Sequence, residues 1–368
     1  MSVRQTRGAV KLKLAIDFCR FSGVPTSFRT LFPEVSKAAG GEYHNIYSAA
    51  EIRQARLTLM ETDETPVRPR TVPPIIYVRM AKGGTGKTTV AGNVSACLAL
   101  MGYKVLMIDG DPQASLTSLF GIDWTTEPIT HIGHLLQANE ARAPIDLHKA
   151  VKPIYADGML DLIASDITLA DIDTWLIGIM KREASFSRLL ASQLDFVSRY
   201  DAIVIDSAPG TTQLSNAFMY AAKRLLAVVL LDGQSIKAME VLASNVAEMN
   251  EAYPELGLTV RLVANGYAAN INACKEALDT LRMAYPGALD PNIIPRSAAF
   301  ARQVSLFDDA DSGPIIENEP NSPAARVMID LTRSLIGAYD LQLAGLMPVV
   351  SPDRRSAKRR PLIAKVAA

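Results

Sequence analysis

Residues 82–89 read K-G-G-T-G-K-T-T and follow directly on the apolar run Ile75-Ile76-Tyr77-Val78. Gly83, Gly84 and Gly86 let the backbone approach an anion where a Cβ would collide. A strand emptying into such a turn and then into a helix offers the anion a row of N–H groups and the helix's positive end. Lys87 is placed to reach the β- and γ-phosphates of a nucleotide and the Thr88 hydroxyl to sit on Mg²⁺, with Thr85 and Thr89 completing the loop. The strict pattern has glycine five positions before Gly86. Ala81 stands there instead, and a second lysine, Lys82, fronts the loop. The competing reading is a glycine turn with two surface lysines. The apolar helix that follows (Val90, Val94, Cys97, Leu98, Met101) gives the context that a chance turn lacks.

Three carboxylates end apolar strands: Asp109 and Asp111 in D-G-D-P-Q, and Asp206 in I-D-S-A-P-G. A single aspartate there is explained by capping of the next helix. Three in a chain with a phosphate loop point to Mg²⁺, which takes one or two carboxylates, phosphate oxygens and waters. Thr88, Asp109 and Asp206 are the expected metal set, Asp206 acting through a water. Asp111 is the expected group for orienting an attacking water.

The elements that position these residues alternate as in a parallel sheet covered on both faces, where ligands sit beyond the carboxyl ends of the strands. Strands are predicted at 105–108, 202–205, 225–231, 260–263 and 159–163, with a short one at 292–294. Helices are predicted at 90–101, 168–180, 185–198, 212–223, 235–252, 271–284 and 322–344. Residues 62–74 hold four prolines and read as a linker. Before it, 9–20 has a helical apolar pattern, a short element follows Thr26 or Ser27, and Ser48-Ala-Ala-Glu51 makes a capping box that opens a helix through about Met60. The predicted organisation is a small helical module over 1–61, the linker 62–74, a P-loop α/β domain with a mostly parallel sheet over 75–345, and a basic flexible tail over 346–368.

The 38 basic and 38 acidic side chains of the 368 residues cancel, so net charge implies no partner. Their distribution is uneven: residues 1–60 carry 9 basic and 4 acidic groups, and residues 351–368 carry 6 and 1. Cys19, Cys97 and Cys274 are scattered without metal or disulfide spacing, which favours a reducing compartment. His44, His131, His134 and His148 form no ligand cluster. No apolar run is long enough to span a bilayer and no signal peptide opens the chain, so a cytoplasmic protein without a membrane partner is expected.

K-G-G-T-G-K-T-T, V-L-M-I-D-G-D-P-Q-A-S and Y-D-A-I-V-I-D-S-A-P-G together resemble the deviant Walker A ATPases of the ParA/MinD superfamily. The segments at 262–267, 294–302 and 321–326 resemble its ParA branch, and the likeness runs over 75–340. The resemblance implies an ATPase using ATP and Mg²⁺ that closes as a homodimer on ATP. Lys82 would reach across to the partner's phosphates, so Lys82, Lys87 and Asp111 form the expected catalytic set. It also implies that Asn265 contacts the adenine, with Pro295 near the base. Thr85 replaces the usual valine and S-A-P-G the commoner T-P-P-G. Nothing like the C-terminal membrane helix of MinD is present.

ParA proteins with an N-terminal extension carry a helix-turn-helix there, and residues 1–60 are similar in size and charge. Arg53 and Arg56 lie three apart on one helix face, as DNA readers would. A dimerisation or regulatory cap with solvated charges is the other reading. For non-specific DNA binding by the ATP dimer, Lys275, Arg296, Arg302 and Arg326 are expected, with the tail cations Arg354, Arg355, Lys358, Arg359 and Arg360. The function implied is a plasmid or chromosome partition ATPase, nucleoid-associated and stimulated by a ParB-like centromere-binding partner, which could also repress its own operator. Positioning of a conjugation or chemoreceptor complex is the alternative. A metabolic relative such as a nitrogenase iron protein or an amidating ligase is a further reading; the iron protein fits poorly, because Cys97 lies in the helix after the phosphate loop and Cys274 lacks a suitable companion.

Overall fold

A computed structural model describes residues 8–19, 46–60, 70–303 and 313–343. The short element after Thr26, most of the linker and the basic tail lie outside the described residues.

Seven strands form the main sheet: β3 (Ile75–Arg79), β4 (Val105–Gly110), β5 (Val151–Tyr155), β6 (Leu160–Ile163), β7 (Ala202–Ser207), β8 (Arg224–Leu230) and β9 (Thr259–Asn265). Their spatial order is β5-β6-β4-β7-β3-β8-β9. Every neighbouring pair is parallel except β5 with β6. β3, β4 and β7 are buried along their whole length, which is why they read as unbroken apolar runs. Parallel strands need crossovers, and helices such as Lys87–Leu100, Gln213–Ala222 and Gly233–Ala252 supply them on both faces. In register, Asp109 pairs with Asp206 at the carboxyl ends of β4 and β7. β3, which feeds the phosphate loop, lies between β7 and β8.

Several expected elements differ. The antiparallel edge strand β5 was not foreseen, because V-K-P-I-Y carries a lysine and a proline; an edge is where a strand tolerates Pro153. Residues 292–294 form no strand: Ile294 N–H donates to the Ala264 carbonyl (2.9 Å), and only an isolated bridge joins Tyr267 to Pro295. The expected helix at 168–180 is a 3₁₀ turn, Ile167–Asp171, followed by the short helix Ile172–Ile177. The one at 185–198 is divided into Ser185–Ser192 and Leu194–Val197. A helix at Ile132–Glu140 was missed; His131 caps it and stacks on His134 with ring centroids 3.7 Å apart.

The N-terminal part is not purely helical. β1 (Ala9–Lys11) pairs antiparallel with β2 (Ile46–Ser48), and the helix expected over 9–20 is confined to Leu12–Phe18. The Ser48–Glu51 capping box is present: Ser48 N–H donates to Glu51 Oε2 (2.7 Å) and Glu51 N–H to Ser48 Oγ (3.2 Å). Val10, Phe18, Tyr47 and Ile52 belong to the same apolar cluster as Val90 and Leu98 of the phosphate-loop helix and Leu335 of the helix Pro323–Ala338. Residues 8–19 and 46–60 therefore pack into the body of the ATPase domain.

Candidate nucleotide site

The loop leaves β3 at Arg79 and enters the helix Lys87–Leu100 through Gly86, whose backbone is left-handed (φ 94°). A Cβ at Gly86 would sit 2.4 Å from Asn265 Nδ2, so only glycine fits both the turn and its neighbour. That neighbour is a working part of the loop, since Asn265 Nδ2 donates to the Thr85 carbonyl (2.7 Å). Asn265 stands at a strand's carboxyl end beside the loop, with its amide nitrogen donating to Thr85. Pro295 lies on the next segment, bridged to Tyr267. Gly83 and Gly84 are exposed, while the Thr85 hydroxyl is buried without a partner.

Lys87 is 6% exposed. Burial pulls the pKa of its ammonium down, opposed by the charges of Asp206 and Asp111. Asp206 is fully buried and neither of its oxygens has a hydrogen-bond partner among the described residues. Burial, reinforced by neighbouring Asp109, pushes its carboxyl up to about 8. The Thr88 hydroxyl and Lys87 oppose that rise, although Thr88 stays outside hydrogen-bond geometry. An orphaned buried carboxylate calls for an explanation, and a hydrated divalent cation beside Thr88 provides one: the donors are oxygens, as Mg²⁺ requires. The residues present therefore fit a Mg²⁺–triphosphate group.

Asp109, expected in the metal set, accepts hydrogen bonds on both oxygens. Its Oδ2 accepts from Thr117 N–H (2.9 Å) and Thr117 Oγ1 (2.7 Å), and its Oδ1 from Asp111 N–H (3.1 Å). Burial still raises its pKa to about 6, with Thr117 opposing. Both oxygens are thus used to hold the turn that carries Asp111. Asp111 itself is 8% exposed, and Gln113 N–H donates to its Oδ1 (2.9 Å).

Lys82 bonds to a residue that the sequence reading missed. Its Nζ donates to both oxygens of Asp232, at 2.9 and 3.1 Å. Asp232 follows β8 and caps the helix Gly233–Ala252 through Ser235 N–H (2.6 Å). The signal was legible as an N-cap in L-L-D-G-Q-S, but its lysine partner was not. A second missed feature is a pair of buried amides. Asn93 Nδ2 donates to Gln303 Oε1 and Gln303 Nε2 to Asn93 Oδ1, each at 3.1 Å. Asn93 also bonds the Thr89 carbonyl (2.7 Å) and accepts from Ile315 N–H (2.8 Å). The pair ties the first turn of the phosphate-loop helix to the segment that begins at Pro295.

The structure corrects the reading of Arg53 and Arg56 as DNA contacts. Arg53 Nη1 donates to buried Asp201 (2.5 Å) and to the Gly102 carbonyl (2.8 Å). Arg56 donates to the Met101 carbonyl and lies over the Tyr103 ring. Both cap the carboxyl end of the phosphate-loop helix, where a cation is favoured. Gly102 (φ 90°) permits the approach, since a Cβ there would meet the Arg53 backbone at 3.1 Å. Of the other expected cations, Lys275, Arg296 and Arg326 are exposed, whereas Arg302 is paired with Glu319. Among the described residues no His/Cys/Asp/Glu cluster forms a metal cage, and no helix is long and apolar enough to cross a membrane.

Known proteins match this arrangement. The AAA_31 family, an AAA domain, matches residues 74–257, half of the chain. The cell division protein PomZ of Myxococcus xanthus is 30% identical over 271 residues, covering 72% of this chain and 80% of PomZ. The sporulation initiation inhibitor protein Soj of Bacillus subtilis is 26% identical over 262 residues, covering 71% and 97%. Among solved structures, a Cyanothece McdA(D38A)–ATP complex superposes with a TM-score of 0.59 at 20% identity, covering 73% of this chain and 97% of that one. A putative plasmid partition protein of Borrelia burgdorferi bound to AMPPNP gives 0.57 at 22%, covering 72% and 99%. At such identities the structures speak for the fold, whereas the sequence relatives and the matched family speak for kinship. Loop, strand-end carboxylates and relatives agree, and the chain belongs to the ParA/MinD superfamily of P-loop ATPases.

Proposed function

We propose that this chain is a ParA-type partition ATPase that uses Mg²⁺-ATP to pair two copies on DNA. The observation that carries the reading is the placement of Lys82. Its ammonium is held at the loop's front by Asp232, with a quarter of the side chain exposed, where a second copy can meet it. Lys87 and the loop N–H groups hold the phosphates, Thr88 and Asp206 hold the metal, and Asp111 orients water. Mg²⁺ held there would neutralise charge on the phosphate oxygens. A lysine delivered by a second copy makes hydrolysis depend on pairing, since catalysis of phosphoryl transfer is mostly charge stabilisation.

In this reading the ATP dimer holds DNA non-specifically through Lys275, Arg296 and Arg326, with Arg302 joining once Glu319 releases it. A ParB-like partner stimulates hydrolysis in the cytoplasm, on the nucleoid. Residues 8–19 and 46–60 act as an integral cap on the ATPase domain. A second reading, transport of a non-DNA cargo, is favoured by the 30% identity to a protein named for cell division.

The test is DNA binding by the full chain with ATP, ADP or no nucleotide over a range of salt. Binding should need ATP and fall steeply with salt as condensed counterions are replaced. Equal binding with ADP, or a flat salt response, would count against DNA as the track.

A further inference from the structure

β3 ends in a fully buried arginine, Arg79, that no carboxylate balances among the described residues. Its Nη2 donates to Thr211 Oγ1 (3.3 Å), its Nη1 meets Met219 Sδ (3.7 Å), and its Nε has no partner. A guanidinium stays charged inside a protein. Burying it against one hydroxyl and a sulfur costs more than those contacts return, and an apolar side chain of similar volume would pack there more favourably. Stability does not account for this residue.

Its surroundings do. Thr211 closes the loop that leaves β7 after Ser207, the residue next to Asp206. That loop is stitched to the residues before Lys82: Ser207 Oγ donates to the Val78 carbonyl (3.0 Å) and Gly210 N–H to the Ala81 carbonyl (3.0 Å). Thr211 Oγ1 also accepts from Asn245 Nδ2 on the helix Gly233–Ala252 (2.6 Å). Arg79 therefore lies under the one stretch of chain that joins the unpaired carboxylate of Asp206 to the front of the phosphate loop. We propose that Arg79 is a positioning residue of ATP hydrolysis, its guanidinium fixing Thr211 and through it the loop between Asp206 and Lys82. It touches no reacting atom; it sets where those that do are held.

The test uses the full chain with Arg79→Met and reads three quantities: the nucleotide-free melting temperature, the Kd for Mg²⁺-ATP and kcat. The melting temperature should equal or exceed that of the wild type and Kd should stay within about twofold, while kcat falls about tenfold or more, as for a small displacement of reacting groups. Thr211→Val, at an exposed position, removes the acceptor that Arg79 shares with Asn245 and should reproduce the loss of kcat, with Thr211→Ser restoring it. Wild-type kcat in Arg79→Met or Thr211→Val would overturn the proposal. So would a failure of Thr211→Ser to restore kcat, or an Arg79→Met protein that melts well below the wild type.

Discussion

The two ends of the phosphate-loop helix treat buried charge in opposite ways. At its carboxyl end Arg53, Arg56 and Asp201 are matched: every guanidinium faces a carbonyl or a carboxylate, and Asp201 takes Arg53 at 2.5 Å and Lys104 N–H at 2.7 Å. At its amino end Asp206, Lys87 and Arg79 are buried with no ion pair among them, and neither oxygen of Asp206 has a hydrogen-bond partner among the described residues. A protein that satisfies its charges at the far end of the same 14-residue helix leaves these unsatisfied only where a ligand or a loop needs them. Among the buried charges, matched ones mark architecture and unmatched ones the site; Lys82, a quarter exposed, is the paired member of that site.

The largest effect on folding should come from breaking the matched end. Asp201→Ala strands Arg53 and frees Lys104 N–H, and loss of one partner of a buried pair costs about 3–5 kcal/mol. The Gly102 carbonyl still holds Arg53, so the lower figure is expected in denaturant unfolding. ATP affinity of the folded fraction should be unchanged. A loss below about 1 kcal/mol, the range of surface pairs, would blur the contrast between the two ends.

A smaller effect is expected midway along the helix. Asn93→Leu leaves Gln303 and Ile315 N–H without their partner, at about 1–3 kcal/mol for an unsatisfied buried group. Here stability and ATP affinity should fall together, because the same amide holds the Thr89 carbonyl in the loop's first helical turn. A variant that loses stability while binding ATP normally would show the amide pair to be architecture alone.

The sequence shows one end of this helix far better than the other. K-G-G-T-G-K-T-T and the aspartates after β4 and β7 are local patterns, written where glycine and strand-end carboxylates are the only chemistry that serves. The buried parallel strands are legible because each is a continuous apolar run. Arg53 and Arg56 announce a shared face by their spacing, but nothing local says what that face meets; Asp201 and Gly102 come from distant parts of the sequence. The same gap hides the difference between Asp109 and Asp206, which look alike in sequence, although Thr117 and the Asp111 N–H lie against Asp109. Val10 fits a helical pattern as readily as a strand, and only its partner Tyr47 decides.

The claim that Asp206 is kept vacant for a metal is tested most directly by Asp206→Asn, comparing Mg²⁺-dependent ATP turnover with the metal-free melting temperature from pH 5 to 8. Folding raises this carboxyl from 3.8 to about 8, so in that window the native state keeps a proton that the unfolded chain has lost. Its contribution to stability is present at low pH and drains away as pH rises. Asparagine, neutral throughout, should remove that part of the slope and raise the metal-free melting temperature at pH 8, while Mg²⁺-dependent turnover falls about 100-fold. A variant that melts below the wild type at pH 8 and still turns over ATP in response to Mg²⁺ would contradict the account.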